Sequence, residues 1–453
     1  MPLMRFAAAL ISVLALLGWS ASPAAAQSIL RDAETEALLH DMAEPLIAAS
    51  GLEPENVDIV LVNDMSVNAF VAGGQAVYVN AGLINEADTA EEVQGVIAHE
   101  LGHVTGGHAV LRPGASAASN ISILSLLLGA AAAAAGSAEA GLGVMMAGQQ
   151  AAMGKFLAYT RSQEASADAA GAEYLSQAGI SGRGSIEFFK KLQNLEFRHG
   201  YRPQEGDEFF STHPLTGDRI QTLQDTYQKD PAWDKPADAA VQKRFVRMKA
   251  KLFGYLAEPR LVFREYPTTV NTVPARYARA YAYHRENQFE KASAEVAALV
   301  ETDPDDPYFL EMQGQILLES GQPKKALEPL RKATQETGNQ PLIATLFGHA
   351  LIATEDRANH DEARRVLKAA VVRDRENPFA WYQLGVIYAQ DNDMPRAYLA
   401  SAEQQALSGR MAEALRSAQA AEAGLPEYSA DWLRAQDIEM QARAELERRA
   451  ERR

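Results

Sequence analysis

Between residues 273 and 400 the chain repeats itself, and a repeat of this length leaves few folds open. Pro307, Gly314 and Ala326 stand at spacings that Pro378, Gly385 and Ala397 reproduce. Pro341 and Gly348 fit the same frame, while Ala363 comes three residues late, as if a turn held an insertion. Ala280 and Ala292 mark an earlier, fainter copy. Copies recurring every 33 to 37 residues are too short to bury a core alone, so paired helices must stack into a solenoid. The small residues let helices approach closely, and Tyr308, Phe309, Phe379 and Trp381 are expected to fill the gaps. The frame fades after about residue 400, and the helices out to 447 read as a cap or an irregular repeat.

Upstream, the chain carries a chemical signature. His99-Glu100-Leu101-Gly102-His103 spells H-E-x-x-H. On a helix the two histidines lie on one face and can reach one metal ion. Glu100, beside the first of them, is placed to take a proton from water held by that ion. A catalytic zinc needs a third protein ligand and an open fourth position. A histidine ten residues after His99 would supply it in one known pattern, but that position is Ala109, and His108 falls one short. On a continuing helix His108 points about 140° away from His103, so it is expected to pack or bond within the fold. The better candidate is Glu164. It lies four residues before Asp168 on a second helix, where the Asp can fix the tautomer of a ligand histidine.

Composition narrows the setting. A net charge of −16 argues against nucleic acid as a partner. Met1 to Arg5, the apolar run Phe6 to Leu17 and the small residues Ala24-Ala25-Ala26 read as an export signal cleaved after Ala26. The chain has no cysteine, which removes thiolate catalysis and Cys-ligated zinc and fits a periplasm or extracellular space without disulfides.

Around the signature, 32–50 reads as an amphipathic helix and 57–62 as a buried strand. Two short strands follow, 69–71 and 76–79, around Gly73-Gly74. A helix over 89–111, opened by Asp88 or Thr89, carries the histidines. From Asn120 to Ala152 the only charge is Glu139. Within 117–152, an apolar hairpin that touches a membrane face and a buried core helix both stay open. Helices are expected over 155–177 and 184–199 and from Asp218. Residues 226–272 read as a linker with one basic helix, Lys243 to Lys251.

Four segments together resemble the HtpX-like and CAAX-prenyl-protease-like zinc metalloprotease family. They are Asn68 to Phe70 with Tyr78 to Leu83; Val96 to His108; Arg161 to Asp168; and Ser211-Thr212-His213-Pro214 with Asp218-Arg219-Ile220. The resemblance covers about 30–225. It implies one Zn²⁺ per subunit held by His99, His103 and Glu164, with Glu100 as base and Asp168 as partner of the ligands. It also implies that the His213 loop sits over the site. There His213 could cap the zinc and hold the enzyme latent, donate to the oxyanion, or merely cap the helix at 218. Arg219 is a further candidate for transition-state charge. The fold expected is mainly α: an α+β zincin-like metalloprotease domain with a small sheet (27–225), the linker, then an α-solenoid of tetratricopeptide-like repeats (273–447). The function expected is a periplasmic endopeptidase for misfolded or misassembled envelope proteins, its repeats docking substrate or the outer-membrane assembly machinery. The alternative is a chaperone or scaffold for outer-membrane protein assembly whose protease activity is latent.

Overall fold

The computed structural model describes residues 29–108, 124–125, 138–199, 213 and 216–451. The expected leader lies outside these residues, as do 117–123 and 126–137 of the apolar stretch. Helix α1 (Ala33–Ser50) starts where the Asp32 side chain accepts the Thr35 N–H at 2.8 Å. It buries Leu38, Leu39, Met42, Leu46 and Ile47. Each such side chain taken out of water contributes about 1.5–3 kcal/mol, so packing holds this helix more than propensity does.

Strand β1 (Asp58–Val62) pairs in parallel with β3 (Ala76–Asn80), and β2 (Ala69–Ala72) pairs antiparallel with β3. The order β1-β3-β2 leaves β2 at a sheet edge. Its Phe70 stacks on Tyr78 with ring centroids 5.0 Å apart. After α2 (Ala81–Glu86), α3 (Ala90–Thr105) is capped by Thr89, which accepts the Glu92 N–H. Helix α3 is buried at Ala90 and from Glu92 to His103 and forms the axis of the core. It stops at Thr105, short of the expected 111, because Gly106 and Gly107 turn the chain, Gly107 at φ +63.

Helix α4 (Ala138–Ala178) is longer than the sequence implies and takes in the end of the apolar stretch. Between residues 142 and 153 only Ala152 is buried, and Leu142, Met146 and Met153 are exposed, so this part is not a core helix. Among the described residues no helix is long and apolar enough to cross a membrane. Helices α5 (Arg183–His199) and α6 (Gly217–Tyr227) close over α3 and α4.

Residues 226–272, expected as a linker, form α7 (Ala239–Leu256) and α8 (Pro259–Glu265). Helix α7 buries Phe245, Met248 and Leu252, and while Lys243 is exposed, Arg244, Arg247, Lys249 and Lys251 each reach a carboxylate. Arg247 bonds Glu34 of α1 and Asp306 before the second repeat, both at 2.5 Å, and buried Lys251 pairs with Asp32 at 2.6 Å.

Four helix pairs then stack: α9 (Val273–Arg285) with α10 (Phe289–Thr302), α11 (Pro307–Glu319) with α12 (Pro323–Glu336), α13 (Pro341–Ala353) with α14 (His360–Arg373), and α15 (Pro378–Gln390) with α16 (Met394–Leu407). The repeated glycine is where a pair closes. A Cβ at Gly314 would lie 2.3 Å from Leu330, and one at Gly348 would lie 2.5 Å from Leu367. The late Ala363 follows a 3-10 turn, Arg357–Asn359, which holds the extra residues. Phe309 is buried as expected, whereas Phe379 is 44% exposed, its ring meeting only His349 edge-on and Tyr382 among the described aromatic rings. Helices α17 (Met411–Glu422) and α18 (Ala430–Glu451) end the array.

The crossing of α3 and α4 depends on a missing side chain. A Cβ at Gly102 would meet the Ala167 carbonyl oxygen at 2.6 Å. Gly102→Val should therefore force the helices apart, costing about 1–3 kcal/mol in urea unfolding and releasing bound metal, because Ala167 lies between Glu164 and Asp168.

Candidate metal centre

The tight crossing delivers donors from two helices to one point. His99 and His103 project from α3 with Nε2 atoms 3.1 Å apart. Glu164 of α4 places its carboxylate oxygens 3.4 Å from each of those nitrogens. His213 enters from between α5 and α6, its Nδ1 3.3 Å from His99 Nε2 and 3.1 Å from Glu164 Oε2. The four side chains are buried, and one ligand atom from each lies within 4.8 Å of the others.

A divalent ion fits this arrangement. With Zn–N near 2.0–2.1 Å, the edges of a tetrahedron measure about 3.3–3.4 Å, and the separations above are of that size. The donors are imidazole nitrogens and carboxylate oxygens, a set that suits zinc and similar ions. Glu100 supplies a second sign. Its Oε1 is buried, has no hydrogen-bond partner among the described residues and lies 3.6 Å from His213 Nε2 of the cluster. An acid kept dry and unbonded beside the donors has room to accept a proton there.

Around the donors lies a layer that orients them. Asp168 Oδ1 stands 2.9 Å from His99 Nδ1, so that nitrogen carries a proton and Nε2 is the atom turned to the cluster, free to bind an ion once its own proton is displaced. Arg219 grips Asp168 with two bonds, 2.5 and 2.7 Å, and its third nitrogen lies 2.9 Å from Glu164. Burial opposes ionisation of Asp168, but bonds from Arg219 and His99 outweigh it and hold the carboxyl below its usual range. Glu164 is likewise held well below the carboxylate range, its bonds to the three histidines exceeding the burial penalty. Burial opposes the charged form of His99, yet Asp168 and Glu164 lift it to about 9. Burial leaves His103 lower than a free histidine.

Every residue singled out in the sequence is here: His99, Glu100, His103, Glu164, Asp168, His213 and Arg219 all lie in or against the cluster. The sequence placed His108 on a continuing helix, facing away. Instead the turn after Thr105 folds it back, and its Nδ1 lies 2.9 Å from His103 Nδ1. Reading Gly106-Gly107 as a helix stop would have exposed that contact. Of the Ser211 to Pro214 motif, only His213 is among the described residues.

Comparison with known proteins agrees with this geometry. Residues 33–227 match the model of peptidase family M48, residues 353–410 a tetratricopeptide repeat, and residues 285–370 the anaphase-promoting complex, cyclosome, subunit 3. The Yersinia pestis beta-barrel assembly-enhancing protease is 25% identical over 367 residues, 78% of this chain and 72% of that one. The Vibrio cholerae protein that bears this name provisionally is 26% identical over 63% of this chain, and the match spans 59% of its own length. Metalloprotease LoiP of Escherichia coli is 32% identical over 39% of this chain and 65% of its own. The chain carries an M48 peptidase domain followed by tetratricopeptide repeats.

Metal analysis of purified protein should find about one ion per chain. Glu164→Ala should lose most of it, and Asp168→Asn should weaken affinity about 10–100-fold. Full metal content in the Glu164 variant would remove that residue from the ligand set.

Proposed function

We propose, from a peptidase family M48 domain joined to tetratricopeptide repeats, that this protein is a zinc-dependent endopeptidase of the periplasm that cleaves misfolded or misassembled envelope proteins. The observation that carries the reading is Glu100 Oε1, buried and unbonded beside four converging donors. His99, His103 and Glu164 would hold the ion. When bound, zinc supplies Lewis acidity, lowering the pKa of water and polarising a peptide carbonyl.

The chain's own residues do the rest. Glu100 accepts the proton of the attacking water and returns it to the leaving amine. Asp168, fixed by Arg219, holds the His99 ring with its Nε2 lone pair inward. The guanidinium of Arg219 also lends positive charge 2.9 Å from Glu164, where it balances the carboxylates gathered there. Strand β2, at the sheet edge, offers main-chain groups to an extended substrate, which would join as a further strand. Such binding reads backbone more than side chains and favours unfolded segments. The repeats would dock the substrate or the outer-membrane assembly machinery; the names of the Yersinia and Vibrio relatives support that setting. The apolar residues exposed between 142 and 153 support a peripheral membrane contact.

His213 supports latency. Its Nδ1 stands among the ligand atoms, 3.3 Å from His99 Nε2 and 3.1 Å from Glu164 Oε2, in the corner that an attacking water would need. Imidazole bound there would exclude water until the 213 segment moves. The same observation favours a second reading, a chaperone or scaffold for outer-membrane protein assembly in which hydrolysis is switched off until needed.

Casein digestion separates the two. Glu100→Gln should keep its metal and lose about 10²–10⁴-fold in kcat. His213→Ala should raise basal turnover by opening the fourth corner. Digestion by Glu100→Gln at the wild-type rate would exclude the endopeptidase.

A further inference from the structure

The two ligand histidines are not supported alike. His99 has a carboxylate behind it, whereas His103 has another imidazole. The route by which that imidazole arrives is written in the backbone. Helix α3 ends in a paired glycine, and two bonds close the turn: Gly107 N–H to Val104 C=O at 3.0 Å and His108 N–H to His103 C=O at 3.0 Å. This is the Schellman arrangement, with Gly107 in the left-handed region at φ +63. It sets the residue after that glycine against the residue five positions before it. Here those residues are His108 and His103, and their rings meet edge to face with centroids 4.9 Å apart. Gly106 makes room for the contact, since a Cβ there would lie 2.5 Å from the His108 ring.

The tautomers follow from the geometry. His103 turns Nε2 toward His99 and Glu164, so its lone pair must sit on Nε2 to bind a metal. Its proton is then on Nδ1. The atom 2.9 Å away is Nδ1 of His108, which must accept that proton's hydrogen bond and carry its own proton on Nε2. The opposite assignment would put a proton on the atom that faces the ion.

We propose that His108 is a positioning residue for the metal centre, locking His103 in its ligating tautomer and ring orientation through a helix-terminating turn. This rests on His103 being a ligand. It implies that a neutral imidazole does for His103 what the carboxylate of Asp168 does for His99. The helix stop and the ligand's orientation are then one device, because the turn that ends α3 also presents the acceptor.

The test is zinc affinity, measured by chelator competition on the full chain at pH 7.5, with thermal unfolding of the metal-free protein as control. His108→Ala should bind zinc about 10–100-fold more weakly than wild type. His108→Gln, whose side-chain carbonyl can accept the same bond, should recover most of the loss. Gly107→Ala keeps both histidines but strains the turn, and should weaken binding in the same direction. With cobalt in place of zinc, the visible spectrum of His108→Ala should shift and that of His108→Gln should stay close to wild type. Wild-type affinity in His108→Ala overturns the proposal, as do equal losses in the Ala and Gln variants. If wild-type protein itself binds no zinc, it is the metal-centre reading that fails instead.

Discussion

Two helices bring donors to one point only if their axes come close, and closeness here depends on residues with no side chain. Gly102 lies against Ala167, and Gly171 lies against Ala98, so α3 and α4 touch backbone to backbone at two points about one turn apart. The donors sit on either side of that contact. His99 and His103 flank Gly102, and Glu164 and Asp168 flank Ala167. The crossing therefore sets the donor separations before any ion arrives, and the small sheet and α1 serve to hold α3 still beneath it.

Around that crossing, charge is arranged in layers. The carboxylates of Glu164 and Asp168 are buried, which is costly for each alone. Arg219 touches both, so the net charge of the group is spread rather than concentrated. Glu100 is left out of this pairing. It is as buried as its neighbours, yet its Oε1, facing the cluster, makes no hydrogen bond among the described residues. A side chain in that state adds little stability, which is why it carries the proposed role of proton acceptor.

Much of this was legible from residue spacing. The four-residue steps of His99 to His103 and of Glu164 to Asp168 gave shared faces, and the recurring proline, glycine and alanine gave the stacked pairs. Three features were not legible. His108 was misplaced because α3 was extended through Gly106-Gly107, where left-handed backbone ends it. The start of α4 was placed too late, because an alanine- and glycine-rich stretch carries little periodicity and α4 is exposed there. The 226–272 segment read as a linker because its cations were taken along one helix. Their partners are far away in sequence, Asp32 and Glu34 more than two hundred residues before them and Asp306 more than fifty after, and no local pattern records such pairs.

That last junction constrains how the protein could be taken apart. Lys251 is buried at 2% exposure, and Glu34 also accepts the Tyr277 hydroxyl at 2.8 Å. Stripping the repeats away would leave Glu34 without Tyr277 and Arg247 without Asp306, exposing a face built to be covered. Ion pairs of this kind fix which surfaces match more than they add strength. The array is thus no interchangeable attachment: a graft from another repeat protein would have to reproduce the same charges in the same places, and a proteolytic cut at α7 would yield fragments prone to clump rather than two working modules.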